Sequence, residues 1–77
     1  MSETITSEFR IQDFTENSVE LKELTVGYIV FVQYEKRLYT GSLWDEIKTF
    51  TKEDVVTISV TSQNTENTIW KISEVHN

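Results

Sequence analysis

The chain has 77 residues, with seven Lys and Arg against thirteen Asp and Glu, which gives a formal net charge of −6. A chain of this length forms a single domain. Its negative net charge disfavours direct binding to nucleic acid or to an anionic membrane. Because there is no cysteine and the one histidine, His76, precedes the last residue, we expect no disulfide, no metal site, no cofactor and no catalytic Ser–His–acid or Cys–His arrangement.

The N-terminal third predicts a frayed end followed by two short elements. Residues 1–8 are polar and are expected to be flexible. The sequence FRIQDF alternates Phe9 and Ile11 with polar residues, which predicts a strand, and TENS predicts a turn. In VELKEL, Val19 and Leu21 alternate with charged residues, which favours a second strand; a helical turn is the alternative, since Glu, Leu and Lys favour helix.

The middle of the chain predicts a β-hairpin. YIVFVQY is rich in β-branched and aromatic residues, with Val30 and Val32 expected to face the core. Its lack of polar alternation indicates either burial on both faces, or one face in the core and one exposed apolar face that favours binding. EKR is a polar tip, and LYTGSLW resumes an extended pattern, so Ile29–Tyr34 and Leu38–Trp44 are expected to pair, with Gly41 at a bulge or a point of close packing.

The C-terminal third predicts a loop and a second hairpin. DEIKTFTKED is assigned to a loop, although Ile47 and Phe50 have helical spacing. VVTISVTS is the cleanest alternating strand, QNTEN supplies turn residues, and TIWKI resumes a strand, so Val55–Ser62 and Thr68–Ile72 are expected to pair. Val75 is expected to close the core from a terminal turn.

These elements predict an all-β fold, a small antiparallel barrel of five or six strands, because closing the sheet removes exposed edges. The whole chain, 1–77, is expected to form one domain, with residues 1–8 flexible, 9–24 an N-terminal extension and 25–77 the barrel. Packing must supply the stability, and we expect Phe9, Phe14 and Phe31 in the core.

Residues 26–75 resemble a Tudor or related SH3-like barrel. The resemblance rests on VGYIVFVQY, the turn EKR, LYTGSL, and the ending IWKISEV. It implies a five-stranded barrel, and many Tudor domains hold methylated lysine or arginine in an aromatic cage. By position Tyr34 and Tyr39 would form two cage walls. The segments VVTISVTS and QNTEN offer no further aromatic residue, so the resemblance implies the barrel more than the methyl-reading activity.

The first functional hypothesis is a non-enzymatic module that binds a peptide or partner protein through surface aromatics. Tyr and Trp supply contact area at low entropic cost and are enriched at binding surfaces. The predicted partner-binding residues are Tyr34, Tyr39, Trp44 and Trp70. Paired acids at 45–46 and 53–54 are expected on solvated loops rather than at a catalytic site.

The alternative hypothesis is a small acidic inhibitor, in the style of phage-encoded factors, that blocks a host nucleic-acid enzyme by partial DNA mimicry. Carboxylates spaced like phosphates would act electrostatically. The candidate acids are Glu16, Glu20, Glu23, Glu35, Asp45, Glu46, Glu53 and Asp54. A third hypothesis is a homodimer through an edge strand such as TISVTS, so the chain is expected to be a monomer or a weak homodimer.

We further expect a soluble, intracellular and cytoplasmic protein. No run of about 18 apolar residues is present, and MSETITSEF lacks the basic and apolar regions of a signal peptide. The absence of cysteine fits a reducing compartment.

Overall fold

Five strands and one short α-helix make up the described part of the chain. The computed structural model describes residues 3–62 and 70–76. The strands are β1 (Glu3–Phe14), β2 (Ser18–Glu23), β3 (Ile29–Gln33), β4 (Val55–Ser62) and β5 (Trp70–Val75). A 3-10 helix, Lys36–Leu38, and the helix α1, Gly41–Ile47, lie between β3 and β4.

The strands form one closed sheet in the order β1-β2-β3-β5-β4, with β4 paired back to β1. All neighbouring pairs are antiparallel except β3 and β5, which run parallel and pair at a single described position, Val32 with Trp70. The predicted all-β class is confirmed. The ring is uneven, because β3 and β5 share only this one pair among the described residues.

The core fills the inside of this ring. Alternate residues of the strands point inward, as the period-two pattern of Val56, Ile58 and Val60 predicts. Val30 and Val32 face the core, as expected. The buried hydrophobic residues come from all five strands and from α1: Phe9, Ile11, Val19, Leu21, Val30, Val32, Ile47, Ile58, Val60, Trp70 and Ile72.

The N-terminal segment belongs to this ring. Residues 3–8, expected to be frayed, form the first half of β1 and pair with β4, with Ile5 opposite Val60. The strand predicted for VELKEL is confirmed as β2, and residues 9–24, expected as an extension, supply the second half of β1 and all of β2. Pairing with β4, which is distant in sequence, is what orders the polar residues at the start of β1.

The predicted first hairpin is wrong in its second arm. Leu38–Trp44 is not a strand: Tyr39 follows the 3-10 helix, and Gly41 begins α1 rather than marking a bulge. The backbone N–H of Trp44 bonds to the carbonyl of Thr40. The physical reason is the spacing of Leu43 and Ile47, which are four apart and lie on one helix face against the core. DEIKTFTKED, expected as a loop, begins inside α1.

The second hairpin is confirmed where the structure describes it. β4 has the predicted bounds and pairs antiparallel with β5. The turn QNTEN and Thr68 lie outside the described residues. Val75 is the last residue of β5 and packs against the core, rather than closing it from a terminal turn. Since β4 pairs with both β1 and β5, TISVTS is not an edge strand.

The α-helix of seven residues is short, and within residues 3–62 and 70–76 no helix has the length and apolar character needed to cross a membrane.

Candidate protein-interaction surface

Three of the four predicted partner-binding aromatics, Tyr34, Tyr39 and Trp44, lie together beside α1. Trp70 is buried, with 6% of its surface exposed, which contradicts its expected place on the surface. Tyr34, Tyr39 and Trp44 are half-buried and pack against the core. The ring centroids of Tyr34 and Trp44 are 5.3 Å apart, and those of Tyr39 and Trp44 are 6.3 Å apart. Phe14 and Phe50 extend this cluster around Tyr34.

Both tyrosine hydroxyls of this cluster bond to backbone. The Tyr34 hydroxyl donates to the carbonyl of Ile47 at the end of α1, which connects the helix to the residue that follows β3. The Tyr39 hydroxyl donates to the carbonyl of Gln33 and accepts from the N–H of Ile72, 3.2 Å away. Burial raises the pKa of both tyrosines above the usual 10.0. These contacts give Tyr34 and Tyr39 a structural role; partner binding through them stays a prediction.

Tyr39 has a specific position in the sheet. Gln33 ends β3 and Ile72 lies in β5, and among the described residues these strands pair only at Val32 and Trp70. The Tyr39 hydroxyl therefore links the two strands at Gln33 and Ile72, beyond that pair. The Lys71 Nζ lies 5.6 Å from the Tyr39 ring centroid, within reach of a cation–π contact.

A different group of apolar residues is exposed to solvent. Five of its six members lie within eight positions around the β2–β3 connection, and the sixth begins β4; the six are Leu24, Val26, Tyr28, Ile29, Phe31 and Val55. Phe31 is 53% exposed, so the expectation that it belongs to the core is wrong. It lies two residues from Ile29 on the outer side of β3, opposite to Val30 and Val32.

On the outer side of β1, β2 and β3, two of these apolar residues lie beside charged residues. We call six residues of this side the hairpin face: Arg10, Asp13, Glu20, Lys22, Ile29 and Phe31. The strand register places them in two neighbouring rows. Arg10 lies opposite Lys22, which lies opposite Ile29. Asp13 lies opposite Glu20, which lies opposite Phe31.

The loop beside the hairpin face is held by a buried carboxylate. Glu23 is 4% exposed, and its Oε1 accepts hydrogen bonds from the backbone N–H groups of Thr25 and Val26. Gly27 follows with φ of 100°, a conformation that suits glycine. Glu23 is therefore a turn-forming residue, which contradicts its expected place on an acidic surface.

Three other predicted acids also have local partners. Glu35 pairs with Arg37 at 3.2 Å, Asp45 pairs with Lys48 at 3.2 Å, and the carboxylate of Asp54 bonds to Thr51. The remaining candidates, Glu16, Glu20, Glu46 and Glu53, are exposed or half-buried. Local pairing reduces the charge that these acids present together, and DNA mimicry by this set stays a prediction.

The C-terminal histidine is part of a hydroxyl network on β1, β4 and β5. His76 Nε2 lies 2.8 Å from the Ser59 hydroxyl, which lies 2.7 Å from that of Thr6. The backbone N–H of His76 also donates to the carbonyl of Thr57, so both its backbone and its ring contact β4. The Glu74 carboxylate lies 3.9 Å from the same Nε2, so it does not orient the ring through Nδ1, as a Ser–His–acid arrangement requires. Among the described residues no three His, Asp or Glu side chains form a metal-binding group.

Comparison with known proteins adds no relative: no protein-family model, curated protein or solved structure gives a significant match to this chain.

Phe31 was assigned to the core because the sequence IVFV has no polar residue that distinguishes the outer side of β3. The lack of polar alternation had left two alternatives open, and the structure shows the second, with one core face and one exposed apolar face.

Proposed function

We propose that this chain is a non-enzymatic protein-interaction module that binds its partner through the hairpin face. One observation carries the proposal: Ile29 and Phe31 are adjacent on the outer side of β3 and are 43% and 53% exposed. Val26, at 76% exposed, extends the apolar surface onto the adjoining loop. Contiguous exposed apolar groups with a charged border are typical of interaction sites.

We infer the barrel type from the strand order. The strands β4, β1, β2 and β3 are neighbours in that order, which is the order of a Greek key. A five-stranded Greek-key barrel is the architecture of the oligonucleotide- and oligosaccharide-binding (OB) fold, whose second and third strands carry the ligand-binding face. The hairpin face lies on the same two strands and β1. The strand order favours this type over the SH3-like type, for which the Tudor resemblance remains a prediction.

The chemistry of the surface favours a protein partner over a nucleic acid. The chain has a net charge of −6, and the two bases of the hairpin face are matched by two acids. A phosphate backbone requires an excess of positive charge, which this face does not offer. A protein surface with mixed charges and an apolar centre is more complementary to the hairpin face.

Affinity capture with tagged variants tests this function in the cell that makes the protein. We expect proteins retained by the wild type to be lost with the double variant Ile29→Ser and Phe31→Ser. The exposed Glu74→Ser on β5 is the matched control and should retain them. Circular dichroism checks that all three chains are folded. Unchanged retention by the folded double variant would overturn the proposal.

A further inference from the structure

The two rows of the hairpin face contain like charges opposite each other. Arg10 lies opposite Lys22 in one row, and Asp13 lies opposite Glu20 in the next. Like charges directly opposite on one face of a sheet destabilise the pairing. The bulge at residue 12 creates the second pair, because it brings Asp13 rather than Gln12 into register with Glu20.

Little within the chain compensates these charges. Within residues 3–62 and 70–76, Arg10, Glu20 and Lys22 make no ion pair, and Asp13 has only Lys52 Nζ at 3.7 Å. The face therefore carries a basic row and an acidic row, each able to accept an opposite charge from outside the chain. Ile29 ends the first row and Phe31 ends the second.

We propose that the occupant of the hairpin face is a second copy of this chain, bound face to face about a two-fold axis. This inference rests on the proposed function, since it names the partner of the same surface. An axis that lies in the interface, perpendicular to the strands and between the two rows, places the basic row of each copy over the acidic row of the other. Such an isologous contact uses the same patch on both copies.

This symmetry matches every position of the face with a complementary one. Lys22 of one copy meets Glu20 of the second copy, and Arg10 likewise meets Asp13. Ile29 meets Phe31, so the apolar ends of the rows also pack together. A shift of either copy by one row would place like charges together, which fixes the register of the complex.

The size and charge of the chain suit a weak dimer. A standard interface covers about 800 Å² on each partner, which is roughly one sixth of the 4917 Å² accessible surface of this chain. Two chains of net charge −6 repel each other at long range, and this repulsion opposes the local attraction.

Sedimentation velocity over a concentration series tests the proposal with charge reversals. We expect the wild type to dimerise as its concentration rises. In Lys22→Glu and in Glu20→Lys, like charges meet across the axis, so each should raise the dissociation constant at least tenfold. A 1:1 mixture of the two variants should form a heterodimer, because the new carboxylate at position 22 of one chain would then meet the new ammonium group at position 20 of the other. Matched controls with the same changes in net charge, Lys36→Glu and Glu74→Lys, should leave dimerisation unchanged.

Three results would overturn the second copy as partner: a wild type that stays monomeric at millimolar concentration, single reversals without effect, or a mixture that does not associate. The proposed function fails separately. If the wild type is monomeric but Ile29→Ser/Phe31→Ser releases another captured protein, the interaction module stands and the homodimer does not.

Discussion

Replacing Tyr39 with Phe removes one hydroxyl and two hydrogen bonds between β3 and β5. The carbonyl of Gln33 loses its donor and the N–H of Ile72 loses its acceptor. At about 0.5–1.5 kcal/mol for each bond, we expect the free energy of unfolding to fall by about 1–3 kcal/mol. The ring itself remains, so the loss should come from the bonds and not from a cavity.

The size of this loss makes it measurable. A domain of this length has a stability of roughly 4–12 kcal/mol at about 0.05–0.15 kcal/mol per residue. A loss of about 2 kcal/mol lowers the melting temperature by roughly 8–16 °C. Urea unfolding followed by tryptophan fluorescence and by far-UV circular dichroism measures the change.

Two matched tyrosine variants provide the controls. Tyr34→Phe loses one bond, to Ile47, in a half-buried place, and should cost about 0.5–1.5 kcal/mol. Tyr28→Phe removes a hydroxyl that makes no hydrogen bond to the described residues. Its free energy of unfolding should therefore stay within about 0.5 kcal/mol of the wild-type value. If Tyr39→Phe were as stable as Tyr28→Phe, the hydroxyl bridge between β3 and β5 would be refuted.

The remaining predictions concern pH, backbone and charge. Burial raises the pKa of Tyr39, so its contribution to stability should be present below about pH 10 and lost as pH rises through the higher folded-state pKa; alkaline unfolding of Tyr39→Phe should show a smaller loss, and equal pH profiles would contradict this. Gly27→Ala should lower the free energy of unfolding by more than about 1 kcal/mol, because the backbone φ at Gly27 is 100°. Gly41→Ala should raise it by about 0.5–1 kcal/mol, because Gly41 begins α1 and has open space around its Cα. A lower melting temperature for the first variant and a higher one for the second would confirm both predictions, and the opposite change in either would contradict it. Lys22→Glu should stabilise the dilute monomer by about 0.2–1 kcal/mol, since it removes the repulsion from Arg10, and a loss of stability in urea unfolding would contradict the register.

Local patterns predict the strands whose outer side is polar. β4 has the predicted bounds, because Val56, Ile58 and Val60 alternate with hydroxyl residues. The first half of β1 could not be predicted in this way. Residues 3–8 are mostly polar, and their order comes from pairing with β4, which lies far away along the chain.

The error between β3 and β4 has a similar cause. LYTGSLW looks extended when read alone, and its helical character depends on Ile47, which lies beyond it and packs in the core. Once α1 is in place, Tyr34 and Tyr39 turn toward it and toward β5. Their backbone partners, Ile47, Gln33 and Ile72, are set by the fold, so the sequence could not show that their hydroxyls are occupied.

The hairpin face also depends on register. The sequence shows Ile29 and Phe31 two residues apart, but which side of β3 faces outward follows from the pairing with β2. The opposed like charges of Arg10 and Lys22 are visible only when β1 and β2 are aligned.

A photo-crosslinking residue at position 31 tests the central claim most directly. We place a benzophenone amino acid there and, as a control, at the exposed position 74 on β5, and irradiate the cells that make the protein. If the hairpin face binds a partner, we expect the residue at position 31 to form crosslinks to other proteins, including a second copy of the chain if it dimerises. The residue at position 74 should form none of these crosslinks. No adduct from position 31, or the same adducts from both positions, would contradict it.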